Sequence, residues 1–482
     1  MERGGRIMIW RFDDVMIWRC SRSMAWWRKY TILFVFIFKL PNLQIDLSAQ
    51  DYPTNYFRSP IDSPIYLSGN FCTLRNDHFH YGIDITTYEK EGMPVLAAAD
   101  GYVSRIKVWP YGYGKAIYID HPNGYTTVYG HLNRFNDFVG KAVKDTQYQR
   151  ESFEVEFFSK PGAWPVKKGE LIAYSGNSGG SSGPHIHFEI RDTKTEEIIN
   201  PLLFGLKVLD TIKPELKNVA LVHFDYGQPF IHKVFTDTLD SDTIDFPVGE
   251  TGVEAIINDY TTFRAIPFNA SRIDLSINSE PIYTCAFDRF PFDKAKQINK
   301  HIDYDTYWDC GLRYQKLWID SENTLDFYDR TLGNGKFVID TGQIILVNIT
   351  VQDAGHHWTS KDFHLRGIPD TFSWVKKERP IPPIRIAKPD ITPPTIKPTN
   401  INKKGKVKGD FINFEIKDKQ SGIVSYRGML DTKWELMDYD AKNDWLTYVF
   451  DENTPKGKHL FHLVVKDKKG NVAVWKKVIL IP

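Results

Sequence analysis

Several stretches of the chain alternate apolar and polar side chains with a period of two. Residues 345–353 read Ile-Leu-Val-Asn-Ile-Thr-Val-Gln-Asp, and residues 461–467 read Phe-His-Leu-Val-Val-Lys-Asp. A turn that contains glycine follows each run. Because successive side chains of a β-strand point to opposite faces, this pattern predicts half-buried strands. Several such strands at short intervals predict antiparallel β-sandwiches, so we expect a mainly β protein.

The two alternating runs close two segments that also open alike. One segment opens with Asp210-Thr-Ile-Lys-Pro214 and the other with Asp390-Ile-Thr-Pro-Pro394. The pattern predicts a β-sandwich domain at 206–375 and a second sandwich at 399–482, which resembles the immunoglobulin-like modules of exported bacterial proteins. Seven prolines fall between residues 380 and 398. Because proline stiffens the chain and lacks a backbone donor, we expect residues 376–398 to form an extended linker.

The first fifty residues have the layout of a secretory signal. Arg28 and Lys29 precede an apolar run at 32–38, and small residues lie near the end of the segment, at 47–50. A charged start, a short apolar centre and a small-residue exit are typical of signal peptides. The run is too short for the roughly 20 residues that span a bilayer. We therefore expect residues 1–50 to be a signal peptide, with Met24 as the true start, and a mature chain without a membrane span in the periplasm or cell envelope. An uncleaved anchor is the alternative.

Length, charge and cysteine content narrow the class of protein. Removal of the signal leaves 432 of the 482 residues, too many for one ordinary domain. The formal charge of +1 becomes −3, because the first fifty residues carry eight Lys/Arg and four Asp/Glu. This near-neutral balance argues against a nucleic-acid partner. Cys285 and Cys310 lie in one predicted domain and could pair in an exported protein, with two buried thiols as the alternative.

Three short polar motifs ahead of the sandwiches could build one metal site. They are His80-Tyr-Gly-Ile-Asp84, Tyr129-Gly-His131-Leu, and His185-Ile-His187. Residues two or four apart in a strand share a face, so His80 would lie beside Asp84 and His185 beside His187. A catalytic zinc ion takes three nitrogen or oxygen ligands and keeps one position open. The motifs can supply such a set, with two histidines left for proton transfer.

The three motifs resemble the signature of the M23 zinc metallopeptidases of the lysostaphin/LytM type, which cut peptide cross-links in bacterial cell walls. The family pattern is His-x-x-x-Asp, a lone His in a Tyr-Gly-His-Leu-like turn, and His-x-His, in that order. The resemblance extends through flanking segments at 66–71, 94–103, 166–172 and 175–190, and covers about residues 56–205. It implies an antiparallel β-sheet catalytic domain, which we assign to residues 51–205.

The resemblance also implies a role for each polar residue of the motifs. His80, Asp84 and His187 would bind one catalytic zinc ion. His131 and His185 would lie beside the attacking water and the substrate carbonyl and transfer protons. Which of these two histidines accepts the proton stays open at this point.

Other residues of this domain compete with, or depart from, the family pattern. His78 lies two residues before His80 and is a rival ligand. Where the family often has Phe-Gly, this chain has Phe71-Cys72, whose thiol could also contact the metal. Residues 132–165 form a longer connection than the family usually allows, and their alternating part at 153–157 predicts an additional strand or hairpin. We hypothesise that this insertion walls the substrate groove.

The resemblance implies an exported zinc endopeptidase that hydrolyses peptide cross-links of peptidoglycan and remodels the cell wall. Relatives of this family that have lost zinc ligands act as activators of other hydrolases, so a non-catalytic wall-binding or activating scaffold is the alternative. The C-terminal domains could bind wall glycan or a cell-envelope protein, or serve as spacers. The motifs do not identify which peptide bond is cut.

Overall fold

The computed structural model describes residues 52–225, 228–235, 243–261, 264–369 and 389–482. The predicted signal at 1–50, with Met24, lies outside the described residues, and so do residues 370–375 of the predicted sandwich domain and residues 376–388 of the predicted linker. No helix within the described ranges is both long and apolar enough to cross a membrane.

Strands dominate the described chain, which confirms the mainly β fold. Up to residue 205 the strands are β1 Leu67–Gly69, β2 Ile83–Thr86, β3 Pro94–Leu96, β4 Gly101–Val108, β5 Lys115–Asp120, β6 Tyr125–Gly130, β7 Arg134–Phe135, β8 Val155–Phe158, β9 Pro165–Val166, β10 Leu171–Tyr174, β11 His185–Asp192 and β12 Ile198–Ile199. One α-helix, α1 Asp137–Arg150, and one 3-10 helix, Pro201–Phe204, accompany them.

Most of these strands form one antiparallel sheet, here called the N-terminal sheet, in the order β1-β2-β11-β6-β5-β4-β8. Its central strand β11 pairs with β2 on one side and with β6 on the other. Both faces of β11 are buried from Ile186 to Arg191. One face carries the apolar side chains Ile186, Phe188 and Ile190, which join the main core. The other face carries His187, so the sheet buries a row of polar groups beside its core.

The insertion at 132–165 contains the predicted extra strand, β8, but also a helix that the alternating pattern does not predict. Helix α1 begins where the Asn136 side chain accepts a hydrogen bond from the Val139 N–H at 2.9 Å. Strand β8 pairs with β4 at the far end of the sheet, so that β4 and β5 separate it from β6. Helix α1 contacts the C-terminal part of the chain, where Lys144 pairs with Asp451 at 2.8 Å. The insertion therefore joins the N-terminal sheet to the C-terminal part of the chain, and its role as a wall of the groove stays a prediction.

Residues 206–369 build two further sheets, here called the middle sheets, and add one short strand to the N-terminal sheet. Their strands are β13 Glu215–Asp225, β14 Gln228–Phe235, β15 Thr243–Pro247, β16 Gly249–Thr261, β17 Arg264–Phe268, β18 Arg272–Ile277, β19 Glu280–Ala286, β20 Arg289–Phe290, β21 Gln315–Lys316, β22 Phe337–Ile339, β23 Ile344–Gln352 and β24 Trp358–Ile368, with helices α2 Ile298–His301 and α3 Tyr304–Cys310 and 3-10 turns Phe292–Gln297 and Arg330–Leu332. One sheet has the order β14-β13-β16-β17, with β21 and β22 on β16, and the other has the order β15-β24-β23-β18-β19. The pair β15–β24 is parallel.

The N-terminal sheet and the middle sheets share a core. Strand β20 pairs with β12, opposing Phe290 to Ile198. The Phe79 ring, just before His80, packs on Phe287 and Phe290 with centroids 6.3 and 5.9 Å apart. The residue next to the ligand candidate His80 therefore packs against residues more than 200 positions later in the chain.

The C-terminal residues form two four-stranded sheets around their own core. The strands are β25 Thr395–Pro398, β26 Phe411–Lys417, β27 Ile423–Leu430, β28 Lys433–Glu435, β29 Asp438–Asp440, β30 Trp445–Val449, β31 Gly457–Asp467 and β32 Val472–Ile481. The orders are β25-β26-β30-β29 and β28-β27-β31-β32. Apolar residues of both sheets, such as Phe414 and Phe461, meet in one cluster, which is the packing of a β-sandwich.

The cysteines of the middle sheets do not pair. Cys285 is a buried free thiol and Cys310 is an exposed one. Cys72 is also buried and free, and burial raises the pKa of its thiol well above the ordinary value.

Candidate metal centre

Three of the predicted site residues converge on one point of the N-terminal sheet. His80 Nε2 lies 3.0 Å from Asp84 Oδ1 and 3.1 Å from His187 Nδ1. His187 Nδ1 lies 2.9 Å from the same Asp84 oxygen. All three side chains are buried. The three donor atoms therefore form a nearly equilateral triangle with edges of 2.9–3.1 Å.

This triangle fits a tetrahedral zinc ion. Zinc binds imidazole nitrogen and carboxylate oxygen at about 2.0–2.2 Å, and tetrahedral geometry then separates two ligand atoms by about 3.3 Å. The observed edges are only a few tenths of an ångström shorter. Two nitrogen donors and one oxygen donor also form a donor set typical of catalytic zinc sites, which keep the fourth position for water or substrate.

Strand pairing brings the ligand candidates together. In the register of β2 and β11, Asp84 lies directly opposite His187. Strand β1 closes over the other side of Asp84, and a Cβ on Gly69 would lie 2.3 Å from Asp84 Oδ2. Only glycine allows the backbone of β1 to approach the carboxylate so closely. Arg75 donates to Asp84 Oδ2 at 2.9 Å and leaves Oδ1 to the histidines.

Outer hydrogen bonds fix both ligand imidazoles. His80 Nδ1 donates to the Asn70 carbonyl at 2.8 Å, which turns Nε2 toward the site. His187 Nε2 donates to Glu189 Oε1 at 2.7 Å, which turns Nδ1 toward the site. Metal-binding histidines commonly donate their second N–H to a carbonyl or carboxylate in this way. Each imidazole is thereby held in the tautomer that a metal ion requires.

Glu189 was not among the predicted site residues. It is fully buried, and Arg191 holds its second oxygen at 2.6 Å. Burial acts to raise the pKa of Glu189, but Arg191 and His187 outweigh burial and lower the pKa to about 2. The sequence signal was present, because His185, His187, Glu189 and Arg191 alternate along β11 and share one face. A polar strand face ordinarily predicts exposure to solvent, whereas most of this face is buried in the structure.

The charges at this point of the sheet favour a cation between Asp84 and Glu189. Burial alone would lower the pKa of His187, but hydrogen bonds to Asp84 and Glu189 raise it to about 9. Burial also acts to raise the pKa of Asp84, but the surrounding histidines lower it well below its usual range. Burial lowers the pKa of His80 to about 4, so this imidazole is neutral at pH 7. A neutral imidazole is the form that binds a metal.

The remaining two predicted histidines line the same site. The His131 and His185 rings lie 4.7 Å apart, and His185 Nε2 lies 3.3 Å from Asp84 Oδ1. His131 Nδ1 donates to the Ser178 carbonyl and His185 Nδ1 to the Gly183 carbonyl, both at 2.8 Å. Each histidine therefore keeps its Nε2 lone pair for another partner.

The backbone holds His131 in an unusual conformation. Its φ of +58° lies in the left-handed region, which L-residues rarely adopt. The His131 N–H donates to the Tyr113 carbonyl at 2.8 Å, and this bond helps to hold the turn. The neighbouring glycine loop packs closely, since a Cβ on Gly179 would lie 2.3 Å from the Gly114 nitrogen. Non-glycine residues with a left-handed backbone conformation cluster at functional sites.

The two rival ligands lie outside the triangle. His78 pairs with Asp77 at 2.7 Å, stacks on Tyr81, and its side chain is 34% exposed. Cys72 is not part of the donor cluster formed by His80, Asp84 and His187. The position of His78 outside the donor cluster agrees with its spacing to Asp84, which does not match the His-x-x-x-Asp pattern and predicts a rim or solvated residue.

Replacing Glu189 with glutamine is expected to weaken zinc binding about 10- to 100-fold, because the partner that orients His187 loses its charge. Competition with a chromogenic chelator on the purified protein measures the affinity. Glu197→Gln is the matched control, since Glu197 pairs with Arg289 on the neighbouring strands. Equal zinc affinity in Glu189→Gln and the wild type would contradict this role, and circular dichroism verifies that each variant is folded.

Comparisons with known proteins agree with this geometry. Residues 78–148 match the model of peptidase family M23. The chain is 35% identical to DD-carboxypeptidase/endopeptidase Mpg of Neisseria meningitidis over 118 residues. This aligned region is 24% of this chain and 21% of that protein. It is 31% identical over 151 residues to peptidoglycan DD-endopeptidase ShyA of Vibrio cholerae, 30% of this chain and 29% of that protein.

Among solved structures, the catalytic domain of lysostaphin from Staphylococcus simulans is 27% identical and matches 27% of this chain and 79% of that one, with a TM-score of 0.20. The chain spans about a fifth to just under a third of the length of the two curated relatives named here. The matched family segment includes His80, Asp84 and His131. The chain therefore contains a domain of peptidase family M23, of the lysostaphin/LytM type.

Proposed function

We propose that this protein is an exported, zinc-dependent endopeptidase that hydrolyses peptide cross-links of peptidoglycan. The observation that carries the proposal is the complete set of three buried donor atoms with two further histidines beside it. The names of the relatives support the substrate class, since they include peptidoglycan DD-endopeptidases and a glycyl-glycine endopeptidase. Because peptidoglycan lies outside the cytoplasm, the substrate agrees with the predicted signal peptide and an envelope location.

In this proposal His80, Asp84 and His187 hold the zinc ion. When bound there, zinc would supply Lewis-acid polarisation of the scissile carbonyl and lower the pKa of a water molecule to about 7. Asn70 and Glu189 keep the two imidazoles oriented through their outer nitrogens. Arg75 holds the outer oxygen of Asp84, so that one carboxylate oxygen faces the histidines.

His131 and His185 are the proposed catalytic residues. Burial and the neighbouring histidines lower the pKa of His131 to about 3, so its imidazole is neutral at pH 7. With Nδ1 donating to Ser178, its Nε2 can accept a proton from the attacking water. His185 has the same arrangement toward the Gly183 carbonyl, and its Nε2 lies 3.3 Å from Asp84 Oδ1. After proton transfer, the resulting imidazolium can stabilise the developing oxyanion or protonate the leaving amine.

The cross-link specificity is tested with purified sacculi that differ in their bridges. We expect the zinc-loaded protein to convert cross-linked muropeptide dimers to monomers in one class of sacculus, direct 3-4 cross-links or glycine bridges, as measured by mass spectrometry. His187→Ala serves as the inactive control, and its co-sedimentation with sacculi measures whether the chain also binds wall glycan or an envelope component. Intact dimers in every sacculus type, with zinc present, would overturn the endopeptidase proposal.

A further inference from the structure

A second cluster of carboxylates lies outside the site described above. Asp210, Asp259 and Asp353 each offer an oxygen, and these three oxygens lie within 4.8 Å of one another. Asp210 precedes β13, Asp259 lies in β16, and Asp353 directly follows β23. Three distant parts of the chain therefore bring negative groups to one end of the middle sheets.

The decisive residue of this cluster is Asp259. It is only 1% exposed, and its Oδ1 is buried with no hydrogen-bond partner among the residues that the structure describes. A buried carboxylate oxygen without a donor carries a substantial free-energy cost, which native structures rarely leave without compensation. Burial, together with the charges of Asp353 and Asp210, raises the pKa of Asp259 to about 8.

The other two carboxylates are held in place by their own turns. The Asp353 carboxylate accepts bonds from the His357 backbone N–H at 2.8 Å and from His357 Nδ1 at 2.9 Å. Asp210 Oδ1 accepts a bond from the Ile212 N–H at 3.1 Å. These contacts fix the carboxylates beside Asp259 but give no donor to Asp259 Oδ1 itself.

We propose that Asp210, Asp259 and Asp353 bind a calcium ion. Calcium takes six to eight oxygen ligands at about 2.3–2.6 Å in flexible geometry, and carboxylates, backbone carbonyls and water all serve. Two oxygens on opposite sides of such an ion lie about 5 Å apart, which the separation of the three donors accommodates. Magnesium requires a smaller, near-ideal octahedron, and zinc favours the nitrogen-rich site around His187.

The position of the cluster suggests what the ion would stabilise. Asp210 lies six residues after the 3-10 helix Pro201–Phe204 that ends the N-terminal part of the chain. A bound ion would tie this connection to β16 and to the turn between β23 and β24. It would therefore stabilise the middle sheets and their junction with the N-terminal sheet.

A related arrangement recurs in the C-terminal sheets, at Asp390, Asp418 and Asp467. Asp467 accepts bonds from the backbone and side chain of Asn471, as Asp353 does from His357. Asp390 Oδ1 accepts from the Thr392 N–H, as Asp210 does from Ile212. Asp390 Oδ2 also has no hydrogen-bond partner among the described residues, but Asp390 as a whole is only partly buried, so the proposal is confined to the first cluster.

The test compares the calcium content of the zinc-loaded full chain with that of two variants. Asp259→Asn removes the central charge, and Asp340→Asn is the matched control on an exposed aspartate of the same sheets. After equilibrium dialysis, we expect elemental analysis to find one calcium ion fewer per chain in Asp259→Asn than in the wild type and in Asp340→Asn. Equal calcium content in all three proteins overturns the proposal.

Thermal unfolding gives a second test, because calcium binding should raise the unfolding midpoint. Calcium at 100 times its Kd should raise the unfolding midpoint of the wild type by about 5–10 °C and leave that of Asp259→Asn unchanged. Without calcium, Asp259→Asn should be at least as stable as the wild type, because it removes a buried repulsion. If Asp259→Asn does not fold, Asp210→Asn replaces it in both measurements. A calcium-independent midpoint in the wild type would identify Asp259 as a protonated structural acid and refute the site.

Discussion

Alanine at position 187 should abolish both zinc binding and cleavage of peptidoglycan cross-links. His187 supplies one corner of the donor triangle, and two ligands do not hold zinc at a catalytic site with useful affinity. His80→Ala and Asp84→Ala should behave in the same way. Elemental analysis of the purified variants, beside muropeptide analysis of treated sacculi, measures both losses in one set of proteins.

His78→Ala is the matched control for these variants. His78 lies two residues before His80 but pairs with Asp77 on the surface, so its loss should leave zinc content and cleavage unchanged. Zinc content of one ion per chain in His187→Ala would contradict the ligand assignment. Absence of zinc from the wild type, under conditions that load other zinc peptidases, would favour the scaffold alternative.

His187→Ala also lowers the stability of the fold, and this effect must be separated from loss of the metal. Removal of the His187 side chain leaves the buried carboxylates of Asp84 and Glu189 without the imidazole that bridges them. Breaking a buried pair typically costs about 3–5 kcal/mol. In His80→Ala the buried Asp84 keeps Arg75 and His187 as partners, and Glu189 keeps His187, so this variant is the cleaner test of zinc binding in a folded protein.

The ligand candidates could be predicted because their spacing is local. His80 and Asp84 are four residues apart, and His185 and His187 two apart, so a strand pattern is enough to group them. Glu189 continues the same alternation but was not recognised, because a polar strand face ordinarily lies in solvent. Only the structure shows that this face is covered, with Tyr113 tilted against the His187 ring at 5.1 Å.

Features that depend on distant pairing could not be predicted in the same way. The strands at 344–352 and 457–467 followed from their alternation, whereas helix α1 buries only Val139, Val143 and Gln147 and so has a weak apolar stripe. The packing of Phe79 on Phe287 and Phe290 joins segments about 200 residues apart, and no local pattern encodes it. The acidic cluster around Asp259 likewise required the fold to bring its three segments together.

Alanine at position 185 should separate cleavage from metal binding. His185 lies beside the donor triangle with its Nδ1 held by Gly183, so the variant should keep most of its zinc. General acid–base groups contribute about 10²–10⁴-fold to a rate, and cleavage should fall by that factor. His131→Ala should show the same split; because the left-handed backbone at 131 strains alanine, His131→Asn is the better-tolerated partner variant. Zinc loss in His185→Ala together with zinc retention in His187→Ala would reverse the assignment of the pair. His185 would then be the zinc ligand, and His187 would be the residue that transfers protons.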